Sequence, residues 1–140
     1  MNERGRNTFS KSERLCSKKL IDEIFERGNT FCLSLFRVSW ILLPPDLSPP
    51  AQVALSVPKK SIRSAVARNL IRRRMREAYR KNKYILYDFL NAGNFRLAFV
   101  LIFRGSTIID YHKIEESVIE TLEALNKNVK QKQPNLVKEK

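Results

Sequence analysis

Apolar and polar positions alternate along this chain in two rhythms, one close to a helical turn and one of period two. Residues 18–28 follow the first. Leu20, Ile21, Ile24 and Phe25 share one side, Ser17 can cap the start, and Gly28 can supply a left-handed stop. Residues 31–43 follow the second and read as a strand, with Phe36, Val38, Trp40 and Leu42 alternating with Arg37, Ser39 and Ile41. The proline-rich stretch 44–50 cannot continue a sheet ladder and is a loop. Residues 51–57 form a second strand with Val53, Leu55 and Val57 on one face. Two strands joined by a short loop predict an antiparallel pair.

A long helix is predicted to start between residues 61 and 65 and to run at least to Lys81, with its pattern extending toward Leu90 until residues 91–94 end it. Residues 95–104 form the clearest strand. Its centre is apolar on both faces, which places it inside a sheet. A last helix covers residues 110–128, with Ile114, Val118, Ile119, Leu122 and Leu125 as its apolar stripe. Residues 1–11 read as a flexible basic arm, 12–129 as a single domain, and 130–140 as a flexible tail. Helix, strands, helix, strand, helix is the order of an α+β domain with helices packed on a small sheet.

Charge sharpens this picture. The 140 residues carry 27 Lys and Arg against 14 Asp and Glu, a net +13. Between positions 59 and 83 stand 11 basic residues and one acid, Glu77, so this window alone contributes +10. A balanced solvated surface interleaves both signs, whereas a local excess repels itself unless a polyanion neutralises it. The chain has no apolar run of ~18 residues for a membrane-spanning helix, and its polar start lacks the apolar stretch of a signal peptide. The cytoplasm is the expected location, with no membrane partner. Cys16 and Cys32 have no zinc-type spacing and are expected as free thiols, packed or half-buried.

At ~100° per residue, Arg68, Asn69, Arg72, Arg73, Arg76 and Arg80 fall within one arc of about 140°. Ala67, Ile71, Met75 and Ala78 fall on the opposite arc. Arg72, Arg76 and Arg80 make a row with steps of about 6 Å, close to the phosphate separation along one strand. An arginine fork clamps phosphate with two donors, and Asn69 can donate to a phosphate or a 2′-hydroxyl. Lys59, Lys60 and Arg63 extend the basic surface upstream. Glu77 is expected to pair with Arg73 or Arg74. A docking helix for an acidic protein is the competing reading of the same face.

Catalytic constellations are missing from the pattern. The one histidine, His112, opens the last helix without an evident partner. There is no paired-histidine motif, phosphate-binding glycine loop or acid cluster, and Glu77, Asp88 and Asp110 are too dispersed to propose as metal ligands. No catalytic or metal-ligating residue is assigned.

Residues 65–80, Ala-Val-Ala-Arg-Asn-Leu-Ile-Arg-Arg-Arg-Met-Arg-Glu-Ala-Tyr-Arg, resemble the signature helix of the bacterial ribonuclease P protein subunit. The stretch Leu55-Ser56-Val57-Pro58-Lys59-Lys60 is similar to that family's strand-to-loop entry. Glu13-Arg14-Leu15 followed by Ile24-Phe25-Glu26-Arg27-Gly28 is similar to its first helix. The likeness covers roughly residues 9–126. The chain departs from the family at Leu70, where arginine is usual, and at Arg74, where an aliphatic residue is usual. It also lacks the glycine often found between the Lys-Lys pair and the helix.

The resemblance implies a two-layer α+β domain on a small mixed sheet in the order α-β-β-β-α-β-α, ribosomal protein S5 domain 2-like, with a left-handed crossover around the basic helix. It implies a partner to a large catalytic RNA. Together they would remove the 5′ leader of precursor tRNA by metal-assisted attack of water, with Mg²⁺ held mainly by RNA phosphates, no catalytic residue in this chain and no obligate protein partner. It further implies a leader cleft between the first helix and the sheet, for which Phe9, Lys11, Arg14, Phe25, Phe36 and Arg37 are the candidates. Phe25 and Phe36 equally have the spacing of core residues. A ribosomal or general RNA-binding protein without a nuclease role is the alternative.

Overall fold

A computed structural model describes residues 8–132. A short 3-10 turn, Lys11–Glu13, precedes α1 (Lys18–Arg27), β1 (Asn29–Leu33), β2 (Phe36–Leu43), β3 (Ala51–Ser56), α2 (Ala65–Asn82), α3 (Tyr84–Gly93), β4 (Arg96–Phe103) and α4 (Tyr111–Lys132). The strands form one mixed sheet in the order β1-β2-β4-β3. The expected arm lies mostly outside the described residues, as do residues 133–140 of the tail. Residues 130–132 continue α4.

Strand order corrects the expected antiparallel pairing of residues 31–43 with 51–57. β2 pairs antiparallel with β4, and β3 pairs parallel with β4 on its other edge. β4 can take both neighbours because it is apolar on both faces. Leu97, Phe99, Leu101 and Phe103 join the main core, while Ala98 and Val100 join a smaller cluster on the reverse side. Pairing β2 with β3 instead would move this doubly apolar strand from the centre of the sheet to an edge, where its faces are harder to cover. The parallel β3–β4 pair requires a crossover, which α2 and α3 supply. The predicted strand 31–43 is a hairpin. Ser34, at φ 54°, turns the chain so that Leu33 lies opposite Phe36. β1 is thus the additional short strand that the family resemblance implied.

The single long helix is also corrected. α2 stops at Asn82, whose amide donates to the Ala78 carbonyl (2.8 Å) and to Glu115 of α4 (2.9 Å). α3 restarts from Lys83, whose carbonyl accepts from the Leu86 and Tyr87 amides. It ends at Asn94 in the left-handed region, φ 59°.

The helices take both sides of the sheet. α2, α3 and α4 cover the main core, and α1 seats Ile24, Leu20 and Ile21 on the reverse face. Ser17 caps α1, accepting from the Leu20 amide at 3.2 Å. Gly28 ends α1 in extended backbone, φ −78°, not in the predicted left-handed turn. Glycine is required there by close approach, since a Cβ would lie 2.4 Å from the Ile24 carbonyl oxygen and 2.7 Å from that of Trp40. Cys16 and Cys32 are free but exposed, not packed.

Candidate nucleic-acid interface

β3 runs into a loop that lifts cations off the sheet edge. Val57 and Ile62 are buried at its two ends. Between them a turn, closed by the Ser61 and Ile62 amides on the Pro58 carbonyl (both 3.1 Å), leaves Lys59, Lys60 and Arg63 exposed around one shallow basin. α2 follows at once. Ser64 caps it by accepting from the Ala67 amide at 3.2 Å. Ile71, Met75 and Ala78 bury its inner face, as the periodicity requires, and Tyr79, which the same spacing places between Arg68 and Arg72, is buried as well.

The outer face is more differentiated than a row of equivalent arginines. Arg73 and Arg76 are exposed, and neither pairs with a described residue. Arg68 donates through Nη1 to the carbonyls of Ile62 (3.0 Å) and Arg63 (2.9 Å). Arg72 donates to Asn69 Oδ1 at 2.9 Å. Glu77 takes Arg80, not Arg73 or Arg74 as expected, through two bonds of 3.0 and 2.7 Å. The Arg80 fork holds the Glu77 carboxyl below its ordinary range. The Arg72–Arg76–Arg80 row is therefore interrupted by one carboxylate at its far end. Arg74 points away from the arc and donates to the Ile109 carbonyl at 2.7 Å, tying α2 to the approach of α4. Leu70 is half-buried beside it and lines, with Arg73, Arg76 and Tyr111, a groove between the two helices.

The six residues expected to line a leader cleft do not gather in one place. Phe36 is fully buried (0 % exposed) and meets Phe103 edge-on at 6.1 Å within the main core, so the core reading holds and the cleft assignment fails. Strand alternation explains this: Phe36, Val38 and Trp40 point toward α2 and α4, and Arg37 points to the opposite face. Phe9 also belongs to the main-core side. It packs edge-on against Tyr79 at 5.7 Å, under the Arg14 guanidinium. Lys11 and Arg14 are exposed where the chain rounds the outer edge of β3, with the Leu15 amide donating to the Val53 carbonyl at 2.9 Å. Only Phe25, 52 % exposed on α1, and Arg37 lie on the reverse side of the sheet.

That reverse side has an open strip. α1 covers Ala98, Val100 and Ala54, and half-buried Ile102 packs at the margin of the same cluster. One register step beyond, Cys32 lies opposite Arg37, Arg37 opposite Ile102, and Ile102 opposite Ser56. This row spans four strands, about 14 Å at the usual spacing. At its β3 end the chain continues directly into the lysine-bearing loop. Ile102 and Ser56 carry no sequence signal of their own, and only the register brings them beside Arg37.

A buried ion pair, absent from the sequence reading, anchors the N-terminal segment. Lys83 Nζ donates to Glu13 Oε2 at 2.6 Å and to the Thr8 carbonyl, and lies over the Tyr84 and Tyr87 rings. Tyr87 also donates to Glu13 Oε2, at 2.5 Å, and the Ser10 amide donates to Oε1 at 2.7 Å. Burial pushes the Glu13 carboxyl up, but the bonds from Lys83, Tyr87 and Ser10 outweigh it and hold the carboxyl below its usual range. Burial pushes the Tyr87 hydroxyl up as well, and with no bond to offset it there the hydroxyl stays far above its ordinary value.

Three carboxylates near the basic face and the N-terminal segment are committed: Glu13 to Lys83, Glu77 to Arg80, and Asp110 to the Lys113 amide at the start of α4. Among the described residues no group of three or more His, Cys, Asp or Glu is placed to hold a metal ion, so these side chains do not fit a Mg²⁺ site of their own. No described helix is long and apolar enough to cross a membrane.

A small α+β domain with one concentrated cationic helix face and a cationic loop has the electrostatic footprint of a nucleic-acid-binding module. Comparison with known proteins narrows the class. Residues 9–126 match the Ribonuclease P family. The ribonuclease P protein component of Porphyromonas gingivalis is 32 % identical over 121 residues, covering 86 % of this chain and 88 % of that protein. That of Petrotoga mobilis is 32 % identical over 121 residues, covering 84 % and 95 %. The RNase P protein of Staphylococcus aureus shares the fold at a TM-score of 0.65 with 21 % identity, covering 82 % of this chain and 96 % of that one. The Thermotoga maritima protein gives 0.63 and 21 %, covering 80 % and 96 %. The chain belongs to the Ribonuclease P family and is a protein subunit of the ribonuclease P holoenzyme, the ribonucleoprotein of tRNA processing.

Proposed function

We propose that this subunit binds the ribonuclease P RNA through the loop 58–63 and the outer face of α2, and that the reverse side of the sheet receives the 5′ leader of precursor tRNA. The observation that carries the first part is the exposed cation set, Lys59, Lys60 and Arg63 on the loop and Arg73 and Arg76 on α2, none paired with a described carboxylate. Phosphate contact neutralises that self-repulsion and gives affinity its salt dependence. Arg68, Asn69, Arg72 and Arg80 border the set and support it.

Support for the second part is the open strip through Arg37 and Ile102, with Phe25 on the same side. It offers a cation, an apolar floor and an aromatic side chain to a single strand. The strip ends at the lysine-bearing loop, so a leader lying on it would emerge beside the catalytic RNA. The Mg²⁺ of the hydrolysis is assigned to RNA phosphates, and this chain contributes binding and orientation. The cytoplasm is its place of work, and no obligate protein partner is needed.

The test mixes the purified chain with its catalytic RNA and a precursor tRNA. Addition of the protein should lower the Mg²⁺ concentration needed for leader removal and tighten precursor over mature tRNA. If it binds RNA yet changes neither, a general RNA-binding role replaces this one.

A further inference from the structure

Arg68 lies on the arc expected to contact phosphate, but its geometry differs from that of its neighbours. Its Nη1 is spent on two backbone carbonyls, those of Ile62 and Arg63, the last residues before the Ser64 cap. Its side chain is half-buried, while Arg73 and Arg76 extend into solvent. The two carbonyls belong to the loop whose other side presents Lys59, Lys60 and Arg63. No described carboxylate pairs with those three cations, so on the loop's charged side the Arg68 bonds are its side-chain tie to α2 among the described residues.

We propose that Arg68 is a positioning residue, which fixes the loop 58–63 against the first turns of α2 so that Lys59, Lys60 and Arg63 meet RNA in one geometry. Two effects follow from the same bonds. A charge-assisted donor on both carbonyls restrains the loop more than a neutral one would. It also cancels the negative ends of two carbonyl dipoles that otherwise face the surface approached by phosphate. The missing glycine in Ser61-Ile62-Arg63-Ser64 fits this arrangement. Ile62 is a buried peg, and it and the two Arg68 Nη1 bonds, not backbone freedom, hold the loop's path. This inference rests on the proposed role of the loop in RNA binding.

The test is a double-mutant cycle on the full chain with its catalytic RNA. It uses Arg68→Ala, the triple variant Lys59→Ala/Lys60→Ala/Arg63→Ala, and their combination. Arg68→Ala should weaken RNA binding by about tenfold in the parent. In the triple background it should weaken binding by less than about twofold, because it acts through cations already removed. In the free protein, Arg68→Ala should speed amide hydrogen exchange over residues 59–64 and leave β2 and β4 unchanged. Arg68→Gln, which keeps one donor group, serves the same cycle if the alanine variant melts early.

An equal loss in both backgrounds would make Arg68 a direct phosphate ligand and overturn the positioning role alone. Unchanged exchange over the loop would do the same. If the triple variant binds RNA as tightly as the parent, the loop is not an RNA contact, and the reading of the interface falls with the inference.

Discussion

Replacing Glu13 by Gln tests whether the N-terminal segment is an integral part of this fold. The carboxylate is 7 % and the Lys83 side chain 4 % exposed, and the pair joins residues 70 positions apart. Gln preserves the shape but removes the charge and turns one of the two acceptor oxygens into a donor, so the buried Lys83 ammonium loses its counter-charge and the donors of Lys83, Tyr87 and Ser10 compete for one oxygen. Breaking one side of a buried pair costs about 3–5 kcal/mol. For a domain of this size that is a fall in Tm of roughly 10–20 °C. Replacing both partners, Glu13→Gln with Lys83→Met, should recover at least half of the loss, since no uncompensated charge remains.

Urea and thermal unfolding of the three variants supply the numbers. The pH dependence supplies a second check. The Glu13 carboxyl titrates lower in the folded chain than in the unfolded one. Its stabilisation is therefore complete above the ordinary carboxylate range and is lost as pH falls through the lowered folded value. Glu13→Gln should flatten this acid limb of the stability profile. A loss below about 1 kcal/mol, the range of exposed pairs, together with an unaltered acid limb, would show that solvent reaches the pair and refute its anchoring role.

Arg73→Ala and Arg76→Ala should each make the log–log salt dependence of RNA binding shallower by about one unit; two unchanged slopes would remove α2 from the interface. Glu77→Ala releases Arg80 from its carboxylate and should steepen that slope, which the same titration reads. Phe25→Ala should melt near the parent temperature and weaken precursor but not mature tRNA by about 1–3 kcal/mol if a base stacks there. Phe36→Ala should lose about 3–5 kcal/mol of stability by leaving a cavity, measured by urea unfolding. Gly28→Ala should cost about 1–3 kcal/mol in the same assay, because its Cβ meets two backbone carbonyl oxygens that cannot yield cheaply.

Local chemistry was legible in the sequence wherever the deciding forces act within a few residues. The Ser17 hydroxyl caps α1 by accepting from an amide three residues on, the inner face of α2 follows the 3.6-residue period, and β4 is apolar on both sides because it lies inside the sheet. The basic face was legible for the same reason, since helical spacing alone gathers its arginines. What the tertiary structure decided are contacts between distant parts of the chain. β3 pairs with β4 and not β2, because burying both faces of β4 outweighs the shorter loop. Phe36 and Arg37 were both cleft candidates, and only the placement of α2 and α4 showed which face of β2 is core. Gly28 suggested a left-handed stop, but the approach of the Trp40 carbonyl from another element sets its requirement. A helical wheel puts Arg68 and Arg80 on the basic arc and Arg74 off it, but does not say what each one meets. They differ in what the fold brings to them: loop carbonyls for Arg68, the approach to α4 for Arg74, and Glu77 for Arg80. Glu13 and Lys83 carry no periodic signal, because a pair spanning 70 positions forms only when collapse removes both side chains from water.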